Sequence, residues 1–318
     1  MAPILVLAAA GFARLVQAQS SPDESRTPPG LISSLQLDTQ AASELQKAIE
    51  AHDYITAEKL LLAEIDHDAH SPRTARLLAY VGTVYFANQD YLNAAVAWKK
   101  SEAIAPLDTK LRFSLAMAYV RLVQPDWART VLESLARENE KDALYPYWLG
   151  RLDYDGHFYH AAIKHFGHAI ELDPKFARAY DNLGLCYYYE NQNDLAVANF
   201  QKAIELERVS ANPSPWPYLN LGITQQFLNQ LPESEKSLRE ALRVDPDFIK
   251  AHFQLGTVLE DRGQPGAALA ELKEAARLDP SYPEPHMAMA RIYRKIGQEA
   301  AARAEVKTYL RLHPHANP

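Results

Sequence analysis

The chain has 318 residues, of which 47% are hydrophobic and 23% are charged, which is ordinary for a globular protein. Its formal net charge is −7, which argues against the basic surface that nucleic-acid binding requires. The one cysteine, Cys186, excludes an intrachain disulfide and a thiolate metal cluster. At this length we expect two domains or an array of repeats rather than one compact core.

The N-terminal residues 1–18 resemble a secretory signal peptide. An apolar run, PILVLAAAGFA, is followed by small residues that end at Ala18, and the run is too short to span a bilayer. This pattern predicts export, a mature chain that begins at Gln19, and a periplasmic or secreted location. The alternatives are a mis-set start or a frayed N-terminal segment, with a cytoplasmic location. Residues 19–37 are predicted to be a flexible linker because residues 20–30 are polar and proline-rich.

A small residue then recurs along the chain at intervals of 34 residues, with a single interval of 38. A second small residue follows 12 positions after each, and a bulky residue follows four positions later. A period in this range is typical of a solenoid of repeated helix pairs. The recurring residues are Gly82, Ala116, Gly150, Gly184, Gly222, Gly256 and Ala290.

The period gives Gly184 a packing role. Glycine inside a helix costs about 1 kcal/mol relative to alanine, so its repeated use needs an offsetting gain. We predict that each unit is a pair of antiparallel helices that cross most closely at the small residue. Phe200 is expected to fill the space beside that crossing. Prolines such as Pro246 follow the second helix, which they cannot prolong.

The pattern AYDNLGLCYYYENQNDLAVANFQKAIEL, residues 179–206, resembles the tetratricopeptide repeat. The resemblance covers residues 75–316 in seven units, and residues 38–74 resemble a degenerate eighth unit. It implies an all-α, right-handed superhelical solenoid of helix-turn-helix repeats whose first helices line a concave groove. It also implies a binding scaffold rather than an enzyme. The seven units are predicted to start near residues 75, 109, 143, 177, 215, 249 and 283.

Three amide side chains occupy equivalent places, two residues before the small residue of successive units. They are Asn182, Asn220 and Gln254, and we expect them to form an exposed row in the groove. A carboxamide both donates and accepts, so the row could hold a peptide backbone. Alanine at these positions would then leave stability unchanged. The alternative is that asparagine here is a frequent feature of the family on an exposed face and binds nothing.

Aromatic and basic residues extend this predicted peptide-binding site. Tyrosine and tryptophan often anchor protein interfaces, although several of these aromatic residues could instead pack between adjacent repeats. Near the C-terminus, basic residues share a helix face next to acidic residues of the preceding unit. The additional predicted site residues are Tyr147, Trp148, Tyr188, Phe227, Arg291 and Arg294.

The sequence contains no nucleophile elbow, phosphate loop or dinucleotide fingerprint, so no catalytic activity and no cofactor are predicted. The histidines at 157, 160, 165 and 168 lack the i, i+4 spacing at which helical ligands converge, and we interpret them as solvated rather than metal-binding. Cys186 is interpreted as a small buried residue. The four extra residues of the longer interval fall in ERVSANPSPWPY and are interpreted as a tolerated loop insertion.

The predicted function is a non-enzymatic scaffold that binds an extended segment of another protein in the concave groove. The partner would be a protein or peptide rather than nucleic acid, and no membrane span is predicted. The alternative is an accessory or regulatory subunit of an envelope enzyme or secretion complex that uses the outer surface of the superhelix.

Overall fold

The computed structural model describes residues 32–65 and 71–313, and within them every regular element is helical. In this part of the chain, a short 3-10 helix, Ile32–Leu35, precedes sixteen α-helices that pack as consecutive antiparallel pairs. The predicted all-α solenoid of helix-turn-helix repeats is therefore confirmed. The predicted signal peptide, residues 1–18, lies outside the described residues.

The chain divides into two compact units, residues 1–140 and 141–318. The first helices of the seven clear repeats begin within three residues of the predicted starts. The N-terminal unit contains α1 (Thr39–Glu50), α2 (Tyr54–Ala63), α3 (Pro72–Ala87), α4 (Tyr91–Glu102), α5 (Thr109–Arg121) and α6 (Pro125–Glu138). The C-terminal unit contains α7 (Leu144–Asp155), α8 (Tyr159–Leu172), α9 (Ala177–Tyr189), α10 (Asn193–Glu207), α11 (Trp216–Phe227), α12 (Leu231–Val244), α13 (Ile249–Asp261), α14 (Pro265–Leu278), α15 (Glu284–Lys295) and α16 (Glu299–Leu312).

The C-terminal end of the predicted linker is folded, whereas the sequence predicted that it would be flexible. Ile32 and Leu35 are buried in the 3-10 helix and pack into the same apolar cluster as Leu45 and Leu61 of the first helix pair. Two apolar residues three positions apart lie on one side of a 3-10 turn, so this turn can bury both. Residues 32–35 therefore belong to the folded N-terminal unit.

The small-residue period marks close helix crossings, as predicted. A Cβ atom placed on Gly184 would lie 2.6 Å from Cε1 of Phe200, and one on Gly82 would lie 2.5 Å from Nε1 of Trp98. Both distances are too short for atoms that are not bonded. The bulky residue sixteen positions later thus packs directly onto the glycine, rather than beside the crossing as the sequence suggested.

The turn within each helix pair has a feature that the sequence did not reveal. One residue in every turn has a positive φ, and the following N–H bonds to a carbonyl five residues back, as Gln192 does to Tyr187 at 2.8 Å. This is the Schellman arrangement that satisfies the last carbonyls of a helix. The positive-φ residues of these turns are His52, Gln89, Val123, His157, Asn191, Asn229, Gly263 and Gly297.

In the C-terminal unit the first helices of successive pairs lie side by side. Helix α9 contacts α7 and α11, and α13 contacts α11 and α15. Each first helix also packs against its own second helix, and the core lies between these layers. The first helices therefore form one continuous layer, and equivalent residues of successive repeats fall in rows along it.

Candidate functional site

The last turns of the first helices in the C-terminal unit form a continuous row of side chains. Helix α9 ends at Tyr189, α11 at Phe227, α13 at Asp261 and α15 at Lys295. Because these helices lie side by side, the four ends follow one another across the layer. We call this set the end row; it consists of Tyr188, Tyr189, Gln226, Phe227, Glu260, Asp261, Arg291, Arg294 and Lys295.

One half of the end row is aromatic. The rings of Tyr188 and Phe227 meet edge to face with centroids 5.8 Å apart, and Tyr189 stacks on Tyr159 at 4.9 Å. Tyr188 and Tyr189 are themselves in edge contact at 5.6 Å. The side chains remain accessible, since Tyr189 is 48% exposed and Phe227 is 54% exposed. This half therefore presents large apolar rings that their neighbours already hold in place.

The middle of the row is held by amide hydrogen bonds. Gln226 donates from Nε2 to Oδ2 of Asp261 at 2.6 Å, and it accepts a hydrogen bond from the Nε2 group of Gln254. The predicted site residue Gln254 therefore links α13 to α11, and it is partly buried. These bonds connect the aromatic half of the row to the charged half.

The other half is charged and surrounds one buried carboxylate. The side chain of Glu260 is 4% exposed and accepts hydrogen bonds from Nε of Arg291 at 2.9 Å and from Nζ of Lys295 at 2.5 Å. Burial opposes ionisation of Glu260, but the hydrogen bonds from these two cations outweigh it and lower the pKa of the carboxyl group. The side chains of Arg291 and Lys295 remain 53% and 61% exposed.

Two of the predicted exposed amides are buried. Asn182 is 1% exposed and Asn220 is 8% exposed. Asn182 accepts from Arg151 at 3.2 Å, and Asn220 donates to Oδ1 of Asp181 at 2.9 Å. The prediction that these side chains are exposed is therefore wrong. Successive first helices approach so closely at this level that a short amide fills the gap and joins them, and its truncation to alanine is expected to lower stability.

The aromatic residues that were predicted to line the groove differ in their burial. Tyr147 is 2% exposed and packs on Phe166 and Phe176, with ring centroids 5.7 Å and 4.7 Å away, so its interpretation as a groove residue is wrong. Trp148 is half-buried in edge contact with Tyr147 at 5.8 Å. Tyr188 and Phe227 lie in the end row, as do Arg291 and Arg294. A binding role for any of these residues stays a prediction.

The same layer of first helices contains a buried acid, Asp181 of α9, that was not predicted from the sequence. Asp181 is 3% exposed, and its burial raises the pKa of the carboxyl group to about 7, although the hydrogen bond from Asn220 opposes the shift. Glu207 is 7% exposed and accepts from the backbone N–H of Ser214 at 2.8 Å. The four-residue insertion is therefore tied to α10 by a buried carboxylate. A polar residue at a helix position that neighbouring repeats fill with apolar ones was the only sequence signal for Asp181.

The histidine cluster and the cysteine have local roles. His165 bonds Asp153 through Nδ1 at 2.6 Å, and His160 lies 3.1 Å from Glu190. Within the described residues, no group of three or more histidine, cysteine or acidic side chains is arranged to hold a metal ion. Cys186 is fully buried, as predicted, and burial raises the pKa of its thiol to about 12.

Comparison with known families agrees with this architecture. Family models described as tetratricopeptide repeat match residues 177–209, 219–283 and 259–318. The chain therefore contains tetratricopeptide repeats. Proteins of this kind are generally non-catalytic scaffolds that bind other proteins. Across residues 32–65 and 71–313, no helix combines the length and apolar character that a bilayer crossing requires.

Solved structures share the tetratricopeptide fold at low sequence identity. Yeast Tom70 is 17% identical with a TM-score of 0.64, and the match covers 95% of this chain and 65% of that one. A tetratricopeptide repeat protein from Parabacteroides merdae is 14% identical, with a TM-score of 0.63 and coverage of 85% and 98%. PilW, a type IV pilus biogenesis factor, is 21% identical, with a TM-score of 0.60 and coverage of 66% and 95%. No curated protein sequence matches the chain.

Proposed function

We propose that this tetratricopeptide-repeat protein is not an enzyme and that it binds an extended segment of another protein along the first-helix layer of residues 141–318. The observation that carries the proposal is the aromatic half of the end row. Tyr189 and Phe227 are about half exposed, yet other rings hold both in fixed contacts. Residues of this type, fixed before binding, lose little entropy when a partner packs on them.

The spacing between helices in this layer also suits an extended ligand. Neighbouring packed helices lie about 8–10 Å apart, which equals about three residues of extended chain. A segment that crosses the layer can therefore place a side chain near each helix end in turn. The buried amides at Asn182 and Asn220 support this role indirectly, because they fix the spacing of the first helices.

A displayed library of random peptides about 12 residues long, selected on the full chain, tests the proposal. We expect enriched peptides with aromatic or aliphatic side chains. Changing Tyr189 or Phe227 to alanine should weaken them by roughly tenfold or more, since central aromatic anchors contribute about 2 kcal/mol or more. Trp127→Ala serves as the control, because Trp127 is 58% exposed but lies on the second helix α6 of the other unit. Failure to enrich any peptide, or equal binding by all three variants, would contradict the proposal.

A second candidate is the accessory-subunit function, in which the outer surface contacts an envelope complex. Exposed apolar side chains on second helices favour it, since Leu92 is 61% exposed and Trp127 is 58% exposed. The same variants separate the two candidates. If Trp127→Ala releases the complex that co-purifies from native cells while Phe227→Ala retains it, the outer surface is the binding surface.

We also propose that residues 1–18 direct export, on the strength of the apolar run and the small residues before Gln19. N-terminal sequencing of the protein from its native compartment tests this. A mature chain that begins at Gln19 is expected, and an intact Met1 or Ala2 in a cytosolic fraction would contradict the proposal.

A further inference from the structure

We infer that the segment bound along the end row carries acidic side chains at one end and an aromatic or aliphatic side chain at the other, about nine residues apart. This inference rests on the proposed function and specifies the chemistry of its ligand. It comes from the charged half of the row, which the aromatic anchors do not explain.

The charged half has a surplus of positive charge in an acidic protein. Arg291, Arg294 and Lys295 are spaced i, i+3 and i+4, which places them on one face of α15. They meet two carboxylates, Glu260 and Asp261, of which Asp261 is also bonded by the amide of Gln226. The chain as a whole has a net charge of −7, so this end of the row differs in sign from its average. An anionic partner group is therefore favoured there.

The cations are held at the surface by a group beneath them. The side chain of Glu260 is nearly buried and forms ion pairs with both Arg291 and Lys295, although a single positive charge would neutralise its carboxylate. Both cations keep more than half of their side-chain surface exposed. Arg294 is exposed as well, and it forms no ion pair with any residue in the described part of the chain. A guanidinium group fixed on one side and open on the other can receive a carboxylate in bidentate geometry.

The distance between the two halves sets the length of the ligand. From α9 to α15 the row crosses three helix-to-helix intervals, or about 30 Å at roughly 10 Å each. An extended chain rises about 3.3 Å per residue, so about nine residues cover this distance. The contacts are continuous over it, from Tyr188 to Phe227, from Gln226 to Asp261, and from Glu260 to Arg291. The occupant is thus one extended stretch with side-chain carboxylates at the α15 end.

The experiment compares selections from the random library on the full-length wild type and on an Arg294→Ser variant. Each peptide is fused to its carrier at the C-terminus, so that only side-chain carboxylates are available. Wild-type selections should be enriched in Asp or Glu about nine residues from an aromatic or aliphatic residue. With Arg294→Ser the acidic preference should weaken while the apolar preference persists. Arg294→Glu should lower the affinity of a selected peptide by about tenfold or more.

Two matched controls keep the result interpretable. Replacing the peptide's Glu with Gln should reproduce the loss of affinity on the wild type. Arg243→Ser removes an arginine whose side chain is 72% exposed on the second helix α12, and it should change nothing. Melting temperatures of the variants should match the wild type, because Arg294 is exposed.

The outcomes separate this inference from the function on which it rests. If peptides are enriched without an acidic preference, or bind equally to wild type and Arg294→Glu, the inference is wrong and the proposed function stands. Equal losses with Arg243→Ser and Arg294→Ser would show a general charge effect and would also overturn it. If no peptide is enriched, both fail.

Discussion

The N-terminal and C-terminal units share one repeat but stabilise it differently. In the N-terminal unit, five helices begin with a side chain that caps the first turn, as Asp108 does by accepting from the N–H of Leu111 at 2.8 Å. In none of the ten helices α7 to α16 does the side chain of the N-cap residue itself form such a bond. The capping residues of the N-terminal unit are Asp38, Asp53, Ser71, Asp90 and Asp108.

In the C-terminal unit, polar side chains also join the first helices of neighbouring repeats. Asn220 bonds Asp181, Gln226 bonds Asp261, and Glu260 holds Arg291. A cap acts within one helix, whereas these bonds act only when adjacent first helices are packed. These bonds make the C-terminal repeats depend on their neighbours, and the proposed ligand would lie across the same contacts.

The largest expected effect is on the free energy of unfolding, which the buried carboxyl group of Asp181 lowers when it is charged. The pKa of Asp181 is raised from 3.8 to about 7 in the folded protein, so its contribution to stability is fully present below about pH 4 and is lost as the pH rises through about 7. Asp181→Asn keeps an acceptor for Asn220 without the charge. We expect it to raise the free energy of unfolding at pH 8 by roughly 2–4 kcal/mol, and by less at pH 5.

Urea titrations at the two pH values measure this change. Asp194→Asn is the control, since Asp194 is exposed at the start of α10 in the same repeat and should show no such dependence on pH. An Asn variant that gained equally at both pH values would show that the carboxyl group of Asp181 is not buried in its charged form.

The next largest effect is expected at the helix crossings, which differ between the two units. Gly184→Ala should destabilise the C-terminal unit by about 1–3 kcal/mol, because the added Cβ would lie 2.6 Å from the fully buried Phe200. The N-terminal unit already combines alanine with leucine at the equivalent pair, Ala116 and Leu132. The double variant Gly184→Ala/Phe200→Leu should recover part of the loss in thermal melting, but not all of it, because the leucines beside Gly222 and Gly256 would also lie within 2.7 Å of an added Cβ. A double variant as unstable as Gly184→Ala alone would mean that the ring is not what excludes the methyl group.

A smaller effect is expected at the turns. Val123 has a φ of 57°, which is strained for a β-branched residue, whereas the C-terminal unit has glycine at the equivalent positions 263 and 297. Val123→Gly should raise the free energy of unfolding by about 1 kcal/mol, and Val123→Asn should act in the same direction. Val209→Gly, at an exposed position without a positive φ, should give no gain. Loss of stability in Val123→Gly would contradict the assignment of strain to this turn.

The smallest effect on stability is expected when a helix cap of the kind found in the N-terminal unit is introduced into the C-terminal unit. Gln264 occupies the N-cap of α14 without a side-chain bond, whereas Asp90 caps α4 by accepting from the N–H of Asn93 at 3.2 Å. Gln264→Asp should stabilise the C-terminal unit by about 0.5–1 kcal/mol, and Asp90→Ala should cost about 1 kcal/mol in the N-terminal unit. Both changes can be followed by urea unfolding, and a neutral result for Gln264→Asp would show that the cap is not limiting there.

The fold could be predicted because its signal is repeated. The small residue and the bulky residue sixteen positions later appear together in each of seven repeats, so an error in any one would not hide the period. The positive-φ turn could not be predicted from the sequence, because six of the eight residues that adopt it are not glycine. The hydrogen bonds of the Schellman arrangement, rather than residue type, specify the conformation.

The site was only half predictable. Arg291 and Arg294 could be placed on a shared face by counting residues along one helix, since helical spacing fixes direction, and Phe227 could be assigned to a first helix in the same way. Counting also placed Asn182 and Tyr147 on the first helices, but it could not show that both are buried. Whether a residue on a helix face meets solvent or a neighbour depends on how closely the next helix approaches.

The sequence by itself therefore determined the repeat, the helix pairs, the close crossings at glycine and the approximate start of each unit, because each of these depends on interactions within a repeat. Only the tertiary structure decided that Asn182 and Asn220 are buried links and that Asp181 is a buried acid. It also decided that the last turns of four first helices join into one row from Tyr189 to Lys295. These features depend on the distance between helices of different repeats, which packing of the whole layer sets and which no local pattern encodes.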